Sequence, residues 1–359
     1  MTATDATNAP APAHEVDLDL RGVKQKHPVV RWLGGSGTWV LLLNIALIAL
    51  FTLLSRDNVF FSSQNFRSVA LAVSTGLLLA LAVGLLLSAG VIDLSVGSNL
   101  VLSSVVGAMV IRDVVGPVTA GGGRSGNVLL ACLLGLLTCM AVGALFGLVN
   151  GLIIEFLDVN SFIATLGTLG IGTGITLLLT NGADISQLPI ELQDRFSFRT
   201  FLGVPLPAVV ALLVAAALWA ALRYLRFGVR TLSIGSSRVA AERAGIRVRQ
   251  HILLLVALAG ALAGLAGFFS LANFGSTTIA GHNNDALNAI TAAVIGGTAL
   301  MGGRINVLGI IWGAILAILL QAGLVVIGVQ PFYQLMAVGV VLIFAVALDR
   351  WNTKRRGAG

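Results

Sequence analysis

The stretch Leu77-Leu78-Leu79-Ala80-Leu81-Ala82-Val83-Gly84-Leu85-Leu86-Leu87-Ser88-Ala89-Gly90-Val91-Ile92-Asp93-Leu94-Ser95-Val96-Gly97-Ser98-Asn99-Leu100-Val101-Leu102 carries a single acid, Asp93, among apolar and small residues. It lies inside 68–112, long enough for two crossings at about 20 residues per ~30 Å of hydrocarbon. The polar break at Asp93 leaves two readings, two full spans or a span plus a re-entrant piece. Apolar residues come in blocks, without the alternation of a transmembrane β-strand. The stretch belongs to helices in a bilayer.

The rest of the chain agrees. Of 359 residues, 57% are hydrophobic and 10% charged, and mean hydropathy is +0.97. Ordinary soluble domains hold roughly 25% charge. One soluble core stops growing near about 250–300 residues and could not hide this much apolar surface. A soluble enzyme, a disordered chain and a disulfide scaffold are excluded. The expected fold is all-α and polytopic, with about ten transmembrane helices, some broken or re-entrant. Spans are expected at 38–55, 68–89, 94–112, 127–154, 161–180, 205–224, 251–273, 285–302, 305–328 and 331–349. The stretch 285–328 has the same two readings as 68–112.

Residues 1–37 form a polar, proline-containing tail with four acids and four Lys/Arg, expected to be disordered and cytoplasmic. The first apolar run starts only near Trp39, so no signal peptide is expected. The transmembrane domain is expected over 38–349, and 350–359 is a basic tail. Ten spans put both termini on one side. With that side inside, sixteen Lys/Arg fall in inner segments and six in outer ones, which favours cytoplasmic termini. The net charge of +7 is thus a topology signal. With 6% aromatics there is no base-stacking platform, and no nucleic-acid partner is expected. Cys132 and Cys139 share one run, ~10 Å apart along a helix, too far for a bridge within it.

Small residues supply the helix contacts. Gly143, Gly147 and Gly151 make a doubled GxxxG, and Gly260/Gly264 and Gly309/Gly313 repeat it. Such positions let backbones approach. Packing within the chain is expected rather than a dimerisation face. A short echo relates Gly90–Gly97 to Gly303–Gly309, and duplicated halves are common in transporters.

Four segments can carry function. In the first, Asp93 or Ser95 either caps a helix or marks a break beside a permeation path. The second is the basic loop 226–250, in which Ser236 or Ser237 can cap a short helix ending before Gly245. A solvated positive-inside loop explains its arginines but not the capped helix, so a docking element is preferred. In the third, Asn150-Gly151 and Asn160–Gly167 place polar groups at span ends, either for interhelical hydrogen bonds or to line a path for an uncharged solute. In the fourth, Gly296-Gly297-Thr298 and Gly302-Gly303-Arg304 put glycine pairs in apolar runs, where breaks or close approaches are favoured. There is no P-loop, H-E-x-x-H, C-x-x-C or G-x-S-x-G. The four histidines offer no metal constellation, and His251 and His282 are expected to be solvated. No enzyme activity, metal or bound cofactor is expected.

Together these segments resemble the permease subunits of ABC importers for monosaccharides of the ribose, xylose and galactose type. The family's I-D-L-S-V-G is matched by Ile92, Asp93, Leu94, Ser95, Val96 and Gly97. Its N-G and P/S-F-I-A-T-L-G are matched by Asn150-Gly151 and by Ser161 to Gly167, including Phe162 and Thr165, with Ser161 where Pro is usual. Its G-x-N-x-x-A-A-x-x-x-G-I is matched by Gly235, Ala240, Ala241, Gly245 and Ile246, with Ser237 in place of Asn and Glu242 between. Its A-x-x-x-G-G-T-x-x-x-G-G-R-G is matched by Gly296, Gly297, Thr298, Gly302, Gly303 and Arg304, with Ile305 in place of the last Gly.

The resemblance implies an inner-membrane subunit of a prokaryotic importer. A second permease subunit, the same or a paralogue, completes the path. Cytoplasmic P-loop ATPase subunits use ATP and Mg, and an extracytoplasmic binding protein delivers the sugar. It makes Gly235–Ile246 the ATPase-coupling loop, with Asp93, Ser95, Asn150, Phe162, Thr165 and Thr298 as candidates for the path. Branched-chain amino acids, nucleosides or a sugar-like autoinducer are alternative solutes for such a permease. An ATP-independent channel or facilitator is the alternative of another class, and it would leave the docking loop idle.

Overall fold

Each long apolar run becomes a helix, and polar caps set several of the starts. A computed structural model describes residues 36–116, 126–186, 188–330, 332–334, 336 and 339–340. Its helices are α1 (Ser36–Leu54), α2 (Ser63–Ser88), α3 (Val96–Val115), α4 (Val128–Phe156), α5 (Ser161–Thr180), α6 (Leu206–Tyr224), α7 (Arg226–Ser236), α8 (Arg238–Arg243), α9 (Val248–Phe274), α10 (Asp285–Ile295) and α11 (Val307–Val326). Asn127 Oδ1 accepts from Leu130 N at 3.1 Å, and Asn160 Oδ1 from Phe162 N at 3.0 Å, closing the starts of α4 and α5. Among the described residues, seven helices are long and apolar enough to cross a membrane, and Trp39–Leu54 is a shorter apolar helix. The protein is an all-α polytopic membrane protein. The tails 1–35 and 350–359 and most of the expected span 331–349 lie outside the described residues.

The core is built on α2, α3 and α9, each with two thirds of its most apolar window buried. Outer helices show lipid-sized apolar side chains instead, such as Leu133, Leu137 and Leu145 on α4. The doubled GxxxG lies against α9. A Cβ at Gly143 would stand 2.3 Å from the Gly260 carbonyl oxygen, and one at Gly147 would stand 2.1 Å from that of Val256. Gly264 faces the Cys139 carbonyl in the same way, at 2.0 Å. The glycine motif is therefore an internal seam, as the sequence suggests. Cys139 is buried, and Cys132 is partly exposed and unbridged.

Of the two ambiguous stretches, 68–112 resolves into two full helices. The stretch 285–328 does not, and the expected helical span at 285–302 is corrected. α10 has 11 residues, a rise of ~16 Å, about half the hydrocarbon thickness. It stops at Gly296-Gly297: the Gly297 and Thr298 amides close back on the Val294 and Ala293 carbonyls at 2.9 and 3.0 Å, with Gly297 at φ +92°. This is the Schellman geometry that only glycine enters without strain. A Cβ at Gly296 would stand 2.5 Å from the Gly309 carbonyl oxygen, so α10 and α11 touch backbone to backbone there.

The echo has a structural counterpart. α9 packs on α3 and α4, as α2 packs on α10 and α11. The two echoed segments each precede a helix. Asp93 Oδ1 accepts from Ser95 N at 2.7 Å, and Asn306 Oδ1 from Gly309 N at 3.1 Å.

Candidate functional site

Several chain connections meet on one face of the bundle. The end of α2, the end of α4, the start of α5 and the junction of α7 with α8 line one open cavity there, with Gly90, Glu155, Ser161, Gly235 and Arg238 among its walls. α8 is the short helix expected from Ser237: its Oγ accepts from Ala240 N at 3.3 Å. At its end, Gly245 N donates to Glu242 O at 2.9 Å and Ile246 N to Ala241 O at 3.1 Å. Gly245 has φ +79° and nothing near its missing Cβ, so it is there for its backbone. Ala241 is the buried face of α8, while Ala240 and Glu242 are exposed. The expected loop 226–250 is thus two helices, with its last three residues already in α9.

The approach to α8 is held by close backbone packing. A Cβ at Gly235 would stand 2.0 Å from the Ser88 carbonyl oxygen and 2.6 Å from Gly303 N. Gly303 N itself donates to Ser88 O at 2.9 Å. The Gly302-Gly303-Arg304 turn therefore sits on α7, and both glycines have positive φ, +94° and +79°. Arg238 closes the face. Its Nη1 and Nη2 donate to the two oxygens of Glu155 at 2.9 and 2.6 Å, and Glu155 has a fully buried side chain. Hydrogen bonding to Glu155 raises the guanidinium further above its ordinary range. Sequence reading missed Glu155 and Arg238, which are 83 residues apart.

Four of the expected path residues come together in a packed node. Asn150 Nδ2 donates to Ser95 Oγ at 2.8 Å, and Ser95 Oγ donates to Asp93 Oδ1 at 2.6 Å. Thr165 Oγ1 accepts from Leu94 N at 3.2 Å, and Ser161 Oγ accepts from Ile92 N at 3.2 Å. Asp93, Ser95, Asn150 and Thr165 are all buried. Phe162 stands apart, exposed at the start of α5, and Thr298 is buried beyond α10. The node fixes the start of α3, with Val96 and Gly97 in its first turn. Asn150 is five residues before Glu155, so that start is recessed ~7.5 Å from the α8 face.

Beyond the node lies a cavity of about 50 Å³ between α3, α5 and the 279–286 segment, with Ser98, Val101, Thr173, Thr176, His282 and Asn283 in its wall. His282 is not the solvated loop residue expected from the sequence. Its side chain is 11% exposed, its Nδ1 is 2.6 Å from Asp285 Oδ2, and its Nε2 is 2.9 Å from Thr278 Oγ1 and 3.1 Å from Ser270 Oγ. His251 is likewise buried, with its Nε2 2.8 Å from Thr231 Oγ1. Both are corrected for the same reason: helices at a polar bundle end enclose residues that an apolar-run reading assigns to loops. Asp184 Oδ1 accepts from Thr277 Oγ1 at 3.1 Å and Ile279 N at 2.9 Å, pinning the segment that enters α10. Among the described residues no cluster of His, Cys, Asp and Glu could hold a metal.

Gly97 touches this segment. A Cβ there would stand 2.8 Å from the His282 carbonyl oxygen. Gly97→Ala is expected to push the 282–286 turn away from α3, costing about 1–3 kcal/mol. A thermal melt of the purified chain in detergent checks this, and an unchanged midpoint would contradict the contact.

The chain matches the family model described as branched-chain amino acid transport system / permease component over residues 65–346. It is similar to the D-allose transport system permease protein of Escherichia coli (strain K12), 31% identical over 89% of this chain and 92% of that protein. It is 36% identical to the ribose import permease protein of Bacillus subtilis (strain 168), over 81% of this chain and 86% of that one. It is 33% identical to the galactose/methyl galactoside import permease protein of Salmonella typhimurium (strain LT2), over 92% of this chain and 98% of that one. No solved structure matches it.

Proposed function

Because the chain belongs to this permease-component family of transport systems, we propose that it is the membrane subunit of an ATP-driven importer whose solute is a monosaccharide. The observation that carries this reading is α8, a helix capped at both ends on the basic face, packed through Ala241 and presenting Ala240 and Glu242 outward. It supplies a rigid knob for a cytoplasmic P-loop ATPase, in keeping with the resemblance of Gly235–Ile246 to a coupling loop. An ATP-independent facilitator gives α8 no task. ATP and Mg are used by the ATPase, and this chain binds neither and holds no ATPase site of its own. A second permease subunit completes the path, and an extracytoplasmic binding protein delivers the solute. The α8 face and both termini are cytoplasmic, as the Lys/Arg count favours.

The choice of sugar rests on the cavity and on the relatives, whose names give allose, ribose and galactose. A branched-chain amino acid carries two full charges at neutral pH, which need fixed partners at membrane depth. The cavity wall offers hydroxyls, an amide and a histidine already engaged by Asp285. That set suits the neutral hydroxyls of a sugar. At about 50 Å³ the cavity is smaller than a sugar ring, so the path is closed here.

Purification from native membranes in mild detergent, followed by mass spectrometry, tests the assembly. A stoichiometric P-loop ATPase supports the importer. Recovery of the chain alone, where other ABC complexes survive, sinks it in favour of a facilitator. Ala241→Arg places a charge in the buried seat of α8 and is expected to lower ATP-driven uptake about tenfold or more at normal membrane levels, a loss of ~1.4 kcal/mol of coupling. Uptake at the wild-type rate would remove α8 from the coupling role.

A further inference from the structure

α8 and the recessed start of α3 are far apart in sequence, but each has a polar contact to α4, about one and a half turns apart on that helix. Arg238, the first residue of α8, grips both oxygens of Glu155 on α4. Glu155 is one residue from the end of α4, and its side chain is fully buried, so the carboxylate has no water to replace the guanidinium. About one and a half turns back along α4, Asn150 donates to Ser95, and Ser95 donates to Asp93 at the start of α3. Ser98, one turn further, is in the cavity wall. A second contact reinforces the same end of α4: the Arg249 guanidinium lies 5.9 Å from the Phe156 ring centre.

A two-pronged guanidinium–carboxylate pair resists both sliding and twisting, because its two hydrogen bonds fix orientation as well as distance. The Arg238–Glu242 contact along α8, at 3.4 Å through Nε, is looser and lies between two half-exposed side chains. α8 is therefore tied more firmly to α4 than it is braced along its own length. α4 is in turn packed closely on α9 through glycine-to-backbone contacts.

We propose that the Arg238–Glu155 pair is the strut that passes displacement of α8 into α4 and, through Asn150 and Ser95, to the start of α3 beside the cavity. The inference rests on the importer reading for its functional consequence. Arg238 and Glu155 touch neither sugar nor nucleotide and are positioning residues. Their loss uncouples hydrolysis from uptake and leaves the assembly intact.

The test uses the full chain, purified with whatever copurifies and reconstituted in liposomes. Glu155→Gln keeps the size of the side chain and removes its charge. The expected result is at least a tenfold fall in sugar taken up per ATP hydrolysed, with hydrolysis and ATPase recovery close to wild type. Glu155→Asp, which keeps the charge, is expected to restore part of that ratio. A fall in uptake and hydrolysis by the same factor, or an unchanged ratio, overturns the strut. Amide hydrogen exchange of the chain alone gives a readout that needs no ATPase. Glu155→Gln should speed exchange at 92–97 while 260–270 stays protected, and equal protection at 92–97 would refute the link. If wild type brings no ATPase, the importer reading falls, and the exchange result still decides the strut.

Discussion

Gly143→Leu is expected to leave no folded protein. α4 and α9 approach so closely that a Cβ at Gly143 falls 2.3 Å from the Gly260 carbonyl oxygen and 2.9 Å from the Gly264 Cα. Overpacking in an ordinary core costs about 1–3 kcal/mol, because side chains rotate away. Here the obstructing atoms are backbone, on a helix whose own hydrogen bonds forbid a local retreat. The two helices must separate along their length, losing the contacts at Gly147, Gly260 and Gly264 together. In lipid no hydrophobic drive returns them, since tails solvate Leu as well as a helix does. A destabilisation of even ~1–2 kcal/mol changes abundance several-fold, and this one is larger. Membrane level and size-exclusion behaviour in detergent check it. Gly170→Leu is the comparison, since nothing stands within 4 Å of a Cβ there, and that variant should fold. Equal behaviour of the two variants would mean that the seam is not what holds the bundle.

How much of this was legible beforehand follows from which interactions are local. Helix existence was legible because one bilayer crossing needs an uninterrupted apolar run, and α2, α4, α9 and α11 have one. The capped α8 was legible because Ser237 accepts from an amide three residues on and Gly245 donates to a carbonyl three residues back. The seam was legible as spacing, although the sequence does not say which helix lies opposite Gly143. The short α10 was legible only as an ambiguity: Gly296-Gly297 permits a break, and whether it breaks depends on Gly309 of α11 arriving against it. The Arg238–Glu155 pair was not legible at all. Glu155 reads as an acid at a span end, where a solvated carboxylate is the ordinary case, and its partner arrives from the next connection on the same face of the bundle. His282 shares that history, since its partners Ser270 and Thr278 belong to the end of α9 and the entry to α10. The bonding of Asp93, Ser95, Asn150 and Thr165 into one node was not legible, because their partners come from three separate places, the start of α3, α4 and α5, and among the described residues Asn150 Oδ1 stays buried there without a partner.

Thr173→Phe is expected to stop transport while leaving the protein folded. Thr173 is exposed on α5 and lines the cavity opposite Ser98 and His282. Its hydroxyl donates to the Leu169 carbonyl at 2.9 Å, a bond within its own helix that no other element needs. Thr173 is exposed, so a phenyl ring can turn outward from the small cavity, and the melt of the purified chain should stay within about 1 kcal/mol of wild type, as surface changes usually do. The open state is where it acts. On the proposed path between α3, α5 and α10, a sugar trades water for the hydroxyls of Ser98, Thr173 and Thr176, and a ring removes one of these and fills the gap. Uptake should fall at least about 100-fold, equivalent to ~2.8 kcal/mol on the limiting step. Binding-protein-stimulated ATP hydrolysis should persist, because neither α8 nor its strut is touched. Thr173→Ser keeps the hydroxyl, sheds one methyl and should transport normally. Near-normal uptake by Thr173→Phe would place the path elsewhere. The exposed face of α5 bearing Phe162 and Ile171 would be the next surface to test, because a second subunit packed on it could close a path between copies instead of within one.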